Sequence, residues 1–330
     1  MGFLLWVLLF VLGAAGAALW AVFAPFGPSA ETFVDVAPGS TAARIGSQLE
    51  SAGVVRSRYA FDLVRLWQRG RLQAGEYRFD HPSSMIEVYD RIRRGDVYTK
   101  TVIVPEGANI FDIGARLEQA GLGTRQQFLQ EQARQTSLVA DLDPGAKSLE
   151  GYLFPDTYRF ARKATMAHIV AVMVRRFRQE AAQLGLKENV HAVVTMASLV
   201  ERETAVDAER PLVASVFANR LARKMPLMTD PSVIYGLERE GQWRGQLSRS
   251  DLKQDTAYNT YLHTGLPPTP IANPGLRSLR AAMQPAHSTY LYFVAAGANP
   301  QGHSIFSSTL EEHTRNVAGY RHALKKAGGR

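Results

Sequence analysis

Cysteine is absent from the 330 residues, which excludes disulfides, thiolate nucleophiles and thiolate metal sites. Also missing are a phosphate-cradling glycine-rich loop, a serine-hydrolase elbow and any nucleic-acid fold motif. His263, His287, His303 and His313 lack the short or helical spacings of a zinc site, so neither a metal nor another cofactor is expected. Lysine and arginine are not scarce, and the net charge is +8. They fall in helical patterns, such as Arg91, Arg93 and Arg94 or Arg175, Arg176 and Arg178, without the interleaved aromatics of a single-strand binder. No nucleic-acid partner is therefore expected, and the positive excess suits an anionic membrane face or a charged polymer.

Charge is missing altogether between Met1 and Phe26. At 1.5 Å per residue such a segment can cross about 30 Å of hydrocarbon, and Trp6 and Trp20 stand near its ends as interfacial anchors do. The apolar stretch exceeds the roughly 7 to 15 residues of a cleaved signal peptide. Residues 1–26 are therefore expected to be a retained, single transmembrane helix. No Lys or Arg precedes it, so charge does not fix its orientation. Residues 27–32, within Pro25-Phe-Gly-Pro-Ser29 and beyond, read as a short linker.

A weak repeat follows at a constant offset of 68 residues: Val34, Val36, Gly39, Ile45, Gly46, Leu49, Glu50, Ala52 and Gly53 match Val102, Val104, Gly107, Ile113, Gly114, Leu117, Glu118, Ala120 and Gly121. Each copy reads as a strand, a Pro/Gly turn and a short amphipathic helix closed by Gly. Between the copies, residues 61–68 and 85–94 read as helices and 75–79 as a strand. The pattern predicts an α+β protein, with a compact α/β unit over 33–104 and a second strand-helix unit and connection over 105–148. A mainly helical domain with a small sheet is expected over 149–330, with helices at 165–183, 189–204, 210–224 and 231–238 and a late strand at 291–295.

The stretch Met196-Ala-Ser-Leu-Val-Glu201-Arg-Glu203-Thr204 carries two carboxylates to the end of an otherwise apolar helix. At about 100° per residue, His191, Thr195, Ser198 and Arg202 form a polar stripe that both glutamates miss. A glutamate against an apolar wall holds its proton near neutral pH and can deliver it to a leaving group. The competing reading is two helix-terminal glutamates, one of them paired with a nearby Arg. Residues two apart face different ways, so the two cannot act as one pair, and periodicity does not choose between them. Asp230-Pro231 reads as a helix start, with Asp capping exposed N–H groups. The loop Thr256-Ala-Tyr-Asn-Thr-Tyr-Leu-His-Thr-Gly-Leu-Pro-Pro268 offers rings to stack on sugars and amides or hydroxyls to bond them.

Val200-Glu-Arg-Glu-Thr204, Leu149-Glu-Gly-Tyr-Leu-Phe-Pro-Asp-Thr-Tyr158, Thr229-Asp-Pro-Ser-Val-Ile-Tyr-Gly236, Tyr258-Asn-Thr-Tyr261 with Gly265-Leu-Pro-Pro268, and Asn273-Pro-Gly275 together resemble the endolytic murein transglycosylase family, also called YceG-like. The resemblance covers nearly the whole chain. It implies a membrane helix, a LysM-like module over 33–104 and a lytic-transglycosylase-like catalytic domain over 149–330. It implies cleavage within nascent glycan strands, between N-acetylmuramic acid and N-acetylglucosamine, leaving 1,6-anhydro ends and using no cofactor. The setting implied is the cytoplasmic (inner) membrane, single-pass, with the catalytic domain on the periplasmic or outer side. The partners implied are peptidoglycan glycan strands, that membrane and peptidoglycan synthases. By the same resemblance the catalytic glutamate falls on Glu203, and the hydroxyl of Thr204 is expected close to the acid. Tyr258, Asn259 and Tyr261 are the expected glycan contacts, with Thr204, Asp230 and Glu150 as further substrate-binding candidates. Two other functions compete: a hydrolytic muramidase pairing Glu203 with an Asp, and a non-catalytic, membrane-tethered glycan-binding adaptor.

Overall fold

Helix α1 (Gly2–Phe23) is apolar on every side and buries none of its residues. It is long and apolar enough to cross a membrane. The structure, a computed structural model, describes residues 2–297 and 303–328; Met1 and Arg330, the outer ends of the expected anchor and catalytic domain, lie outside these. Two units are present, residues 1–100 and 101–330.

In the first unit, β1 (Thr32–Val36) leads to α2 (Ala42–Ser51), α3 (Arg58–Gln68), β2 (Gly75–Phe79) and α4 (Met85–Arg94). Thr41, Ser57 and Ser84 each stand before a helix and accept a backbone N–H with their hydroxyls, which supplies partners for orphan donors of the first turn. Strands β1 and β2 pair antiparallel with Val34 opposite Tyr77. Period-two alternation then turns Val34, Val36, Tyr77 and Phe79 onto Ile45, Leu49, Phe61, Val88, Tyr89 and Ile92. The expected linker is not loose. Phe26 exchanges both backbone hydrogen bonds with Ser83 at 3.0 Å, and the Arg56 guanidinium donates to the carbonyls of Ala24 at 2.8 Å and Pro25 at 3.0 Å.

Strand β3 (Thr99–Val104) leads into the second unit, where α5 (Ile110–Gln119), α6 (Arg125–Arg134) and β4 (Asp156–Ala161) follow, and β4 pairs back on β3. Both halves of the sequence repeat are thus strand, helix, helix and returning strand. Gly46 and Gly114 occupy equivalent places. A Cβ there would stand 3.3 Å from the Phe61 ring and 3.2 Å from the Phe128 ring, so glycine lets each helix pair approach closely. Residues 105–148, expected as a connection, fold within this unit. Helix α6 went unread because its sequence is almost wholly polar, with only Phe128 and Gln132 buried.

The unit continues with α7 (Met166–Leu184), α8 (Val190–Glu203), α9 (Arg210–Ala222), α10 (Asp230–Arg239), α11 (Leu276–Met283), the hairpin β5 (Tyr292–Ala295) and β6 (Ser304–Ser307), and α12 (Leu310–Gly328). Helix α8 is enclosed, which corrects the expected polar stripe. Val190, Val194 and Ala197 face one apolar cluster, Met196, Leu199 and Val200 another, and Thr195 and Ser198 are fully buried. Ser198 reconciles its hydroxyl with burial by donating to Thr195 O at 2.7 Å and accepting from Ile271 N at 3.0 Å.

A buried polar clamp holds α8's surroundings in register. Glu150, with no exposed surface, accepts from Ile110 N at 3.0 Å, the Tyr235 hydroxyl at 2.9 Å and Asn273 Nδ2 at 2.9 Å. Asn273 Oδ1 in turn accepts from Gly151 N and Leu153 N, both at 2.9 Å. Burial pushes the Glu150 carboxyl up to about 8, against the hydrogen bonds from Ile110 and Tyr235 that favour its ionised form. Gly151 has φ +89°, and a Cβ there would sit 2.6 Å from Pro270 Cβ and 2.7 Å from Val194 Cγ1. Gly151→Ala is therefore expected to destabilise the protein by about 2–4 kcal/mol, the sum of left-handed strain and overpacking. A fall in the denaturation midpoint at unchanged slope checks it, and a wild-type midpoint would show that Pro270 yields freely.

Candidate active site

The two glutamates at the end of α8 have different fates, as their spacing requires. Glu201 is 5% exposed as a side chain; its Oε1 accepts from Arg210 Nη1 at 2.7 Å and its Oε2 from Gly275 N at 2.9 Å. It ties the starts of α9 and α11 to α8. Glu203 forms no ion pair within hydrogen-bond reach; the hydroxyl of Thr229 donates to its Oε1. Its carboxyl opens on a cavity of about 400 Å³ lined by Phe217, Arg220, Leu227, Met228, Asp230, Tyr261, Tyr292, Phe293, Leu310 and His313, a volume within the usual range of ligand pockets.

Burial pushes the Glu203 carboxyl up to about 7. The Thr229 hydrogen bond opposes the rise, the Asp230 charge adds to it and the Arg220 charge opposes it. Such a group holds a proton at neutral pH and can also release it, as a single acid and base requires.

The cavity wall is held by saturated hydrogen bonds. Arg220, on α9, donates from Nε to Leu291 O at 2.7 Å and from Nη1 to Leu227 O at 2.6 Å, which fixes its charge beside Glu203 rather than on it. Met228 adopts φ +51°, a conformation a non-glycine residue keeps only when neighbours over-determine it. Here Met228 N bonds Thr260 O and Thr229 N bonds Thr260 Oγ1, both at 3.0 Å. The Tyr261 hydroxyl donates to Asp230 Oδ1 at 2.6 Å, and burial together with Asp230 pushes that phenol well above its ordinary value. Tyr292 stacks on His313, ring centroids 5.1 Å apart. Burial and the Arg220 charge lower the imidazole's pKa.

Of the residues singled out in the sequence, Glu203, Asp230 and Tyr261 meet in this cavity. The others stand behind it. Asn259 is fully buried; its amide donates to Leu252 O and Gln254 O and accepts from Tyr261 N, so it shapes the loop that carries Tyr261. Tyr258 packs edge-on against Tyr235, bonds Thr269 at 2.9 Å and borders a separate cavity of about 170 Å³. Glu150 belongs to the buried clamp and has no free face for a glycan. Thr204 turns its hydroxyl to Val206 N at 3.1 Å, and the hydroxyl on the acid is instead that of Thr229. Asp230 does not cap α10, since the residue before the helix is Thr229; its carboxylate receives Tyr261.

Sequence reasoning missed Thr229, Arg220, Tyr292 and His313 as cavity residues. Thr229 could have been found, because it precedes the Asp-Pro helix start. The other three come from α9, β5 and α12, brought together only by tertiary packing.

The sequence profile of the YceG-like family matches residues 34–319. The chain is 33% identical over 303 residues to the endolytic murein transglycosylase of Bacillus subtilis, covering 86% of this chain and 82% of that protein. It is 30% identical over 319 residues to the endolytic murein transglycosylase of Streptococcus pneumoniae, covering 86% of this chain and 57% of the relative. Its fold is similar to the crystal structure of a YceG-like protein from Listeria monocytogenes, with a TM-score of 0.57 at 30% identity over 87% of this chain and 99% of that one.

Proposed function

The chain belongs to the YceG-like family, and from that premise we propose that it is a membrane-anchored endolytic murein transglycosylase in which Glu203 is both acid and base. The observation that carries the assignment of the residue is the contrast at the end of α8: Glu201 is consumed by Arg210 and Gly275, whereas Glu203 faces the cavity with a carboxyl at about 7. Protonated Glu203 donates to the glycosidic oxygen between N-acetylmuramic acid and N-acetylglucosamine as the bond to muramic C1 breaks. The resulting carboxylate then takes the proton of the muramic C6 hydroxyl, whose oxygen bonds C1 and closes the 1,6-anhydro ring. Glu203 ends protonated and no water is consumed. Tyr261 and Tyr292 offer the rings on which sugars stack, and Met228, half exposed, stands at the lip.

Asp230 supports a second reading, because it places another carboxylate on the same cavity wall, and glycoside hydrolysis uses two. Tyr261 occupies one of its oxygens, which favours a holding role over activation of water. Mass spectrometry of the cleaved strands separates the two. Muramic ends one water lighter than reducing ends are expected, and reducing ends would make the protein a muramidase.

Because Glu203 must carry its proton, kcat/KM is expected to fall above about pH 7, approaching tenfold per pH unit. Thr229→Val removes a donor that favours the carboxylate. The sign is therefore a rise, and the alkaline limb should move up by roughly 0.5–1 pH unit, the size of a hydrogen bond of about 1 kcal/mol. A pH profile of both proteins checks this; an unmoved or lowered limb would remove Thr229 from the tuning of the acid.

The first unit supports a LysM-like reading by its order of strand, helix, helix and returning antiparallel strand. Retention of residues 27–100 on purified sacculi checks a wall-binding role, and no retention would count against it. Helix α1 is read as the retained anchor, single-pass in the cytoplasmic membrane with the catalytic unit outside, and peptidoglycan synthases as the partners working on the same strands. Resistance of the full chain to alkaline extraction from membranes, and crosslinking to synthases in cells, check these two points.

A further inference from the structure

Helix α3 carries two apolar faces, and only one is used inside the protein. Ala60, Phe61 and Val64 enter the core, while Tyr59, Leu63, Leu66 and Trp67 are exposed, at 66, 53, 72 and 68%. At about 100° per residue the exposed four share one arc of roughly a quarter turn, and Arg58, Asp62, Arg65 and Arg69 share another. A soluble helix normally gives solvent its polar side only.

The exposed arc is continuous with α1. Leu63, Val64 and Trp67 face Ala15, Leu19 and Val22 across a groove of about 460 Å³. From Ala15 to the end of α1 at Phe23 the rise is about 12 Å, so α3 lies beside only the last turns of the expected span. Amphipathic helices at a bilayer surface bury their apolar face to a similar depth, about 5–10 Å. The register is fixed: Arg56, immediately before α3, bonds Ala24 O and Pro25 O and stacks on the Trp20 ring at 4.0 Å. Between residues 56 and 71 stand Arg56, Arg58, Arg65, Arg69 and Arg71 against the single acid Asp62, the charge complement of anionic headgroups.

Resting on the reading of α1 as a retained anchor, we propose that α3 is a second, interfacial membrane contact: Tyr59, Leu63, Leu66 and Trp67 lie in the outer leaflet, acyl chains fill the groove against α1, and the arginines meet the headgroups. The first unit is thereby held down on the bilayer rather than hung from it.

The test uses the full chain in vesicles of phosphatidylcholine and phosphatidylglycerol, in two single-tryptophan forms with the remaining tryptophans changed to Phe, one keeping Trp6 and one keeping Trp67. Bromines on the upper acyl chain are expected to quench Trp67 strongly and aqueous iodide hardly at all, with Leu63→Glu plus Leu66→Glu reversing that ratio. Trp6 reports independently on α1. If Trp6 is quenched by lipid and Trp67 by iodide, the anchor stands and the α3 contact is overturned. If Trp67 is shielded from both quenchers, a protein surface covers α3 and the proposal is equally overturned. If Trp6 escapes lipid quenching, the anchor reading fails and the α3 contact fails with it.

Discussion

Glu203→Gln is expected to abolish glycan cleavage, by about 10³-fold or more, in a protein that folds and melts as the wild type does. The amide keeps the shape of the side chain and still presents an oxygen to the Thr229 hydroxyl, so the cavity and its hydrogen bonds survive. What is lost is the proton. A positioned acid or base contributes roughly 10²–10⁴-fold to a rate, and here one group serves both proton transfers, so its loss cannot be shared with a second carboxylate. The assay is mass spectrometry of strands incubated with the two proteins, counting internal fragments that end in 1,6-anhydro-muramic acid. Activity within tenfold of wild type would displace Glu203 as the acid and turn attention to Asp230 on the same wall. No cleavage by the wild type itself would leave the glycan-binding adaptor ahead.

The choice between Glu201 and Glu203 shows where sequence reading stops. Their position at the end of an apolar helix was legible, and so was the argument that one would be paired and the other kept apolar, because both follow from local spacing and desolvation. Which was which was not legible from periodicity. Arg210 lies only nine residues from Glu201, yet Gly275, its other partner, is 74 residues away. Elements with their own caps and alternation, such as β2 and α4, were read with the boundaries they have. Strand β4 was not, since its pairing with β3 closes a connection of some fifty residues that no local pattern encodes. The hydroxyl beside the acid follows the same rule: Thr204 is its neighbour in sequence, but α8 ends in extended backbone there, which turns Thr204 away and leaves the place to Thr229.

Glu201→Ala is expected to be the most damaging substitution at the site for folding, costing about 3–5 kcal/mol, the usual consequence of leaving a buried ion without its partner. Arg210 is 6% exposed as a side chain and cannot swing into water to regain hydration. Its remaining partners are Ser278 and Asp207, and Asp207 is itself half exposed and shared with Arg277, so neither replaces a carboxylate at 2.7 Å. Gly275 N also loses its acceptor, adding an unsatisfied buried donor. Glu201→Gln should fall between, because its carbonyl can serve Gly275 or Arg210 but no longer carries charge. The measurement is the urea midpoint of wild type, Glu201→Gln and Glu201→Ala, with cleavage assayed well below the midpoint. A large drop in stability in that order, with Glu201→Gln still producing anhydro ends, is the expected result. Wild-type stability in Glu201→Ala would mean that Arg210 is held without Glu201. Loss of cleavage in stable Glu201→Gln, with Glu203→Gln active, would move the acid two residues back along α8.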